Sequence, residues 1–224
     1  MNPRILAVDT TSRWGSLALL SGDIIVAERA IESDDGFGHL LFPAIEELLA
    51  VAGWNVGEIH CFAAAAGPGS FTGIRVGLSA IKGLGAALSK PVAAISTLAA
   101  IAWHGSAALR AAFVDARRGE IYGAVYSSSM EIVSAELVTD LEEWLEKLPA
   151  GDLELLCPDF SPFADILSQT RYCRIPRRTT PRALAGAVGA LAAQKLRIGQ
   201  LQSPADAEAN YIRPSDAELF WREW

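Results

Sequence analysis

Apolar and polar positions alternate in short blocks along the chain, and the block period changes several times. Residues 5–9 form an apolar run that ends in a carboxylate. Residues 10–14 are polar, 15–20 are apolar again, Ser21-Gly22-Asp23 is a turn signal, and 24–29 form a third run. Three runs separated by turn residues predict a β-meander. Beyond Gly36-Phe37-Gly38 the spacing becomes three and four. Leu41, Ile45, Leu48, Leu49 and Ala52 predict a helix, with Pro43 in its first turn and Gly53 closing it.

A strand is expected at residues 61–66. It runs into Gly67-Pro68-Gly69-Ser70-Phe71-Thr72-Gly73 and then into a helix. Ser70 or Thr72 is the expected N-cap. In that helix Ile74, Leu78, Ile81, Leu84 and Leu88 have core spacing, and Gly77, Ala80, Gly83 and Ala87 form an adjoining stripe of small residues. At about 100° per residue the two stripes cover roughly 200° of the circumference, twice what an ordinary surface helix buries. Interior glycines each cost a helix about 1 kcal/mol, and close approach of another backbone offsets such a cost. The surplus predicts a surface for another protein; the alternative is packing inside the chain's own fold.

The pattern continues with a strand at 92–95, a helix from Ser96 or Thr97 to about His104, and strands at 112–115, 120–126 and 132–137. A helix follows from Thr139-Asp140 through Leu141, Trp144 and Leu145, then a strand at 153–157 and an alanine-rich helix at 182–196. The two halves echo each other: Leu6-Ala7-Val8-Asp9 leads to Gly15 and a strand, and Ala112-Phe113-Val114-Asp115 leads to Gly119 and a strand. An α/β fold of two related lobes is expected, with mixed sheets flanked by helices, divided as 1–104 and 105–224.

Composition narrows the function. Half of the 224 residues are hydrophobic and the net charge is −7, which disfavours strong independent binding to nucleic acid. Arg171, Arg174, Arg177, Arg178 and Arg182 crowd one polar stretch, to be read as a solvated edge or a small phosphate-contacting patch. Three widely spaced cysteines give neither a disulfide framework nor a zinc site. No signal peptide and no membrane-length apolar segment is expected, so the predicted location is cytoplasmic.

Candidate chemistry is sparse. His39, His60 and His104 lack the spacing of a helix-borne metal pair, so no metal site is expected. No G-x-S-x-G elbow is present, and the 67–73 loop fits neither common phosphate-loop spacing. No catalytic residue is therefore assigned. Asp9, Thr10 and Thr11 at the hairpin tip are the candidate nucleotide or anion cradle, with an Asx or Ser/Thr turn as the alternative. Asp115 and Glu120 flank a second turn, where salt bridging or turn closure is expected.

Several blocks together resemble the bacterial TsaB family, also called YeaZ. They are Ile5-Leu6-Ala7-Val8-Asp9-Thr10-Thr11, the glycine-rich 67–85 run, Val114-Asp115-Ala116-Arg117-Arg118-Gly119-Glu120-Ile121-Tyr122, and Tyr211-Ile212-Arg213-Pro214-Ser215. His39-Leu40-Leu41-Phe42-Pro43-Ala44-Ile45 is similar to the family's first interface helix. The resemblance covers essentially the whole chain. It implies the two-lobed acetate/sugar kinase, Hsp70 and actin (ASKHA) fold. It also implies a noncatalytic partner of TsaD, a paralogue that transfers the threonylcarbamoyl group to adenosine beside the tRNA anticodon, with the ATPase TsaE joining the complex. On this resemblance Leu40, Leu41, Ala44, Leu48, Gly77, Ala80, Ile81, Gly83, Leu84 and Ala87 would contact TsaD or a second copy of the chain, and tRNA would be met only through the complex. Asp9, Thr10 and Thr11 would be a remnant of the fold's phosphate loop. No cofactor is expected, unless ATP or ADP sits at a partner interface. The competing reading is a nucleotide-binding phosphotransferase of the same fold.

Overall fold

The computed structural model describes residues 2–169 and 171–213. Pro214, Ser215 and the tryptophan-rich stretch 220–224 lie outside the described residues. The chain forms two units: Met1–Ala100 with Arg182–Asn210, and Ile101–Pro181 with the stretch that begins at Tyr211.

The first unit is built on a five-stranded sheet. β1 (Arg4–Asp9), β2 (Trp14–Ser21) and β3 (Ile24–Glu32) form the expected antiparallel meander, and β4 (Cys61–Ala65) and β5 (Val92–Ile95) add in parallel beyond β1. The order is β3-β2-β1-β4-β5. β1 and β4 are central and covered on both faces, so they read as continuous apolar runs rather than alternating ones. On one face lie α1 (Leu41–Ala52) and α2 (Phe71–Leu88), whose Leu41, Ile45, Leu48, Ile74, Leu78 and Ile81 pack on Leu6, Val8, Leu17, Leu19 and Phe62. Gly53 closes α1 in the left-handed conformation, as expected.

The opposite face is covered by α6 (Ala185–Arg197). It sits so close that a Cβ at Gly189 would lie 2.1 Å from Leu20, and one at Gly186 would lie 2.7 Å from Ile25. The backbone N–H of Ala185 donates to the buried Ser16 hydroxyl at 3.0 Å. The division into units therefore differs from a single cut after residue 104. The chain leaves the first unit near Ala100 and returns to it at Arg182, because the second face of the first sheet needs α6 to exclude water.

The second unit repeats the plan. β6 (Leu109–Arg117), β7 (Glu120–Ser127) and β8 (Ile132–Asp140) form an antiparallel meander. β9 (Leu153–Cys157) and β10 (Arg177–Thr179) then add in parallel, giving β10-β9-β6-β7-β8. The strand–aspartate–turn–glycine–strand echo thus marks a true topological repeat. α4 (Leu141–Glu146) is capped by Asp140, which accepts from the Glu142 N–H at 2.8 Å. Its Trp144 packs on Phe113, ring centroids 5.6 Å apart, and Phe160 and Phe163 meet Phe113 edge-on at 5.7 and 5.2 Å. α3 (Thr97–Ala102) follows β5, with the Ser96 hydroxyl accepting from the Ala99 N–H. α5 (Ala164–Ser168) was not expected from the sequence.

The role of α6 makes a testable prediction. A fragment of residues 1–104 should expose the apolar face that α6 covers, bind a hydrophobic dye and unfold without cooperativity; linking residues 182–210 to it should restore a cooperative urea transition. Full cooperativity in 1–104 alone would contradict the discontinuous unit.

Candidate functional site

Two places in the first unit carry the residues singled out by the sequence: the β1–β2 hairpin tip and the α1–α2 layer. The tip is filled from within. Asp9, Thr10 and Thr11 are all buried, Asp9 to 1% exposure. Asp9 Oδ1 accepts from the Thr11 N–H at 2.9 Å and from the Thr11 hydroxyl at 2.7 Å. The Thr10 hydroxyl donates to the Gly73 carbonyl at 2.7 Å, and the Thr11 carbonyl accepts from the Ser70 N–H at 2.7 Å. The Ser12 hydroxyl is spent on the Trp14 backbone at 3.1 Å. A phosphate cradle needs free hydroxyls and N–H groups facing a ligand. Here both threonine hydroxyls and the Thr11 N–H are committed to the chain itself. The tip forms the Asx turn, further pinned by the start of α2.

Gly69, Gly73 and Gly77 are explained by the same contact. A Cβ at Gly69 would lie 2.5 Å from the Thr11 carbonyl, one at Gly73 would lie 1.9 Å from the Thr10 carbonyl, and one at Gly77 would lie 2.6 Å from the Thr10 hydroxyl. Ser70 is the N-cap, its hydroxyl accepting from the Gly73 N–H at 3.3 Å. Gly67, at φ 109°, precedes a cis bond to Pro68, and its carbonyl accepts from the Thr97 N–H at 2.8 Å.

Burial pushes the Asp9 carboxyl from an ordinary 3.8 up to about 6, with the two Thr11 hydrogen bonds pulling the other way. Its Oδ2 is buried without a hydrogen-bond partner among the described residues. Burial also raises the thiols of Cys61 and Cys157 to about 12, so neither is a ready nucleophile. Among the described residues no three His, Cys, Asp or Glu side chains gather as metal ligands.

The expected partner face divides. Leu41, Ala44, Leu48, Gly77, Ala80 and Ile81 are buried in the first unit's own core, Leu40 and Leu84 are half-buried, and Gly83 and Ala87 are exposed. The burial has a simple cause: α1 and α2 must each spend one side on the sheet, and Gly77 lies against Thr10. A Cβ at Gly83, by contrast, would meet open space. The outer side of α2 consists of Phe71, Arg75, Ser79, Gly83, Ala86 and Ala87. Arg75 lies over the Phe71 ring at 3.7 Å, and Lys82 is drawn inward to the Ala207 carbonyl at 2.8 Å. On α1, Phe42 and Val51 are 48% and 79% exposed. Beyond the residues singled out for contact, the two helices also expose Phe42, Val51 and Phe71. Their signal was available: large apolar residues at positions that fall outside each helix's core stripe.

In the second unit Asp115 closes its turn as Asp9 does, accepting from the Arg117 N–H at 2.7 Å. Glu120 pairs with Arg213, which also donates to the Ala116 carbonyl at 2.9 Å. Of the arginine stretch, Arg178 pairs with Glu154 at 3.0 Å, Arg171 pairs with Glu146 at 2.7 Å, and Arg182 lies over the Trp14 ring. These three arginines are held by the chain's own side chains, as on a solvated edge.

Comparison with known proteins agrees with this architecture. A family model described as TsaD, tRNA N6-adenosine threonylcarbamoyltransferase, matches residues 34–156, over half of the chain. The tRNA threonylcarbamoyladenosine biosynthesis protein TsaB of Bacillus subtilis is 27% identical, covering 98% of both chains. TsaB of Escherichia coli is 35% identical over 127 residues, 55% of this chain and 54% of that one. The solved structure of YeaZ from Pseudomonas aeruginosa superposes with a TM-score of 0.77 at 27% identity, over 93% of this chain and 99% of that one. The fold is thus the ASKHA type that the TsaD-related proteins share. Within that group, the chain belongs to the TsaB (YeaZ) family.

The Asp9 environment predicts a pH dependence. A carboxyl whose folded pKa lies above its unfolded value disfavours folding once it must ionise, so stability should fall as pH rises from about 4 to about 6 and then level off. A shift from 3.8 to about 6 corresponds to about 3 kcal/mol. Asp9→Asn keeps an oxygen acceptor for Thr11 and removes the buried charge. It should raise the urea midpoint at pH 7 and flatten the profile between pH 4 and 6. An unchanged profile would show that Asp9 is not the buried acid.

Proposed function

We propose that this chain is a noncatalytic subunit for tRNA threonylcarbamoyladenosine synthesis, acting in the cytoplasm as the partner of a TsaD-type threonylcarbamoyltransferase. The observation that carries the reading is the outer side of the α1–α2 layer. It exposes Phe42, Val51 and Phe71, and on α2 it presents small residues at Ser79, Gly83, Ala86 and Ala87. Such a surface allows another helix to approach closely and bury apolar area. Family membership favours this partner: relatives are named for threonylcarbamoyladenosine biosynthesis, and the matching family model is that of TsaD. TsaD is the first occupant of this face, a second copy of the chain is its occupant when TsaD is absent, and TsaE joins the assembled pair. Transfer chemistry belongs to TsaD, and tRNA is met through the complex. The sequence offers no helix-borne histidine pair here, since His39, His60 and His104 are far apart. ATP or ADP, where it takes part, belongs to a partner interface rather than to the hairpin tip, whose hydroxyls are spent.

Gly83→Arg tests the surface. The new side chain enters open space, so the variant should keep the parent's thermal midpoint within a few degrees. It should lose association with TsaD in size-exclusion chromatography with light scattering, and run as a monomer alone. A variant that still forms the one-to-one complex would contradict the proposed face.

A further inference from the structure

We infer that the β1–β2 hairpin tip has a positioning role, with Thr10 as the residue that seats α2 and thereby sets the pose of the partner-binding face. This inference rests on the α1–α2 reading above. The Thr10 hydroxyl is turned onto the Gly73 carbonyl at 2.7 Å, and the Thr11 carbonyl takes the Ser70 N–H at 2.7 Å. One bond ends on the N-cap of α2 and the other on its first turn.

The contact is also steric. Gly73 and Gly77 are four apart on the inner side of α2, and Gly69 precedes them in the loop. Each meets Thr10 or Thr11 at a distance that excludes a Cβ. Three backbone approaches on two residues fix the depth of the helix and its rotation about its own axis. Phe71, Arg75, Ser79 and Gly83 also follow one another by four, on the opposite side. A rotation of α2 that releases the inner glycines must therefore turn the outer line by the same angle. Packed helix interfaces tolerate small displacements poorly, because close contacts are lost steeply with distance. The pose of α2 is held from beneath, by a side chain buried in the first unit.

Thr10→Val keeps the shape and removes the hydroxyl, and Thr10→Ser restores it. In the chain alone, amide exchange along residues 74–82 should quicken in Thr10→Val and return toward the parent rate in Thr10→Ser. At a temperature where all three are folded, Thr10→Val should weaken association with TsaD by about tenfold, the scale of one buried neutral hydrogen bond, and Thr10→Ser should stay close to the parent. A Thr10→Val that is merely less heat-stable but binds TsaD as the parent does would overturn the inference, as would Val and Ser variants that behave alike. The two claims fail separately. A parent chain that binds neither TsaD nor itself defeats the partner reading, whereas exchange in the isolated chain tests the seating of α2 without any partner.

Discussion

The seating of α2 on the tip of the first hairpin is the contact from which the rest of the first unit follows. Without side chains at Gly69, Gly73 and Gly77, the helix comes close enough for the Thr10 hydroxyl to reach a helix carbonyl. That closeness lets Ile74, Leu78 and Ile81 close over Val8, Phe62 and Ala64. It also commits the Thr10 hydroxyl and the Thr11 carbonyl to the start of α2, while the far side of the helix stays exposed.

The two units show how one topology takes different environments. Each begins with a meander, adds two parallel strands and closes its first turn with an aspartate that accepts from the N–H two residues on. In the first unit the helix after β4 covers that turn, and Asp9 is buried with a raised pKa. In the second unit the tip stays exposed, with Arg117 and Arg118 in left-handed conformations and Glu120 tied to Arg213. Burial, rather than the identity of the acid, separates the two.

Much of this was legible in the sequence, for physical reasons. The runs that became β1, β2, β4 and β9 are short, apolar and bounded by turn residues, and α1 carries its own glycine stop. The elements missed were too small to leave a period: α5 has five residues, and the three residues of β10 are all exposed. That α6 returns to the first unit was not legible, because an alanine-rich helix fits any close-packed face. The small-residue stripe of α2 was the instructive case. A glycine that admits a close neighbour and a glycine that faces open space look alike in sequence, and Gly77 and Gly83 are one of each kind. Only the position of Thr10 separates the buried glycine from the exposed one.

The most direct measurement is amide hydrogen exchange across the whole chain, with and without a stoichiometric amount of TsaD. The account predicts slowed exchange concentrated in residues 41–52 and 71–88, with the second unit's hairpin at 115–120 unchanged. Protection centred on another surface, with both helices exchanging as in the free chain, would contradict it.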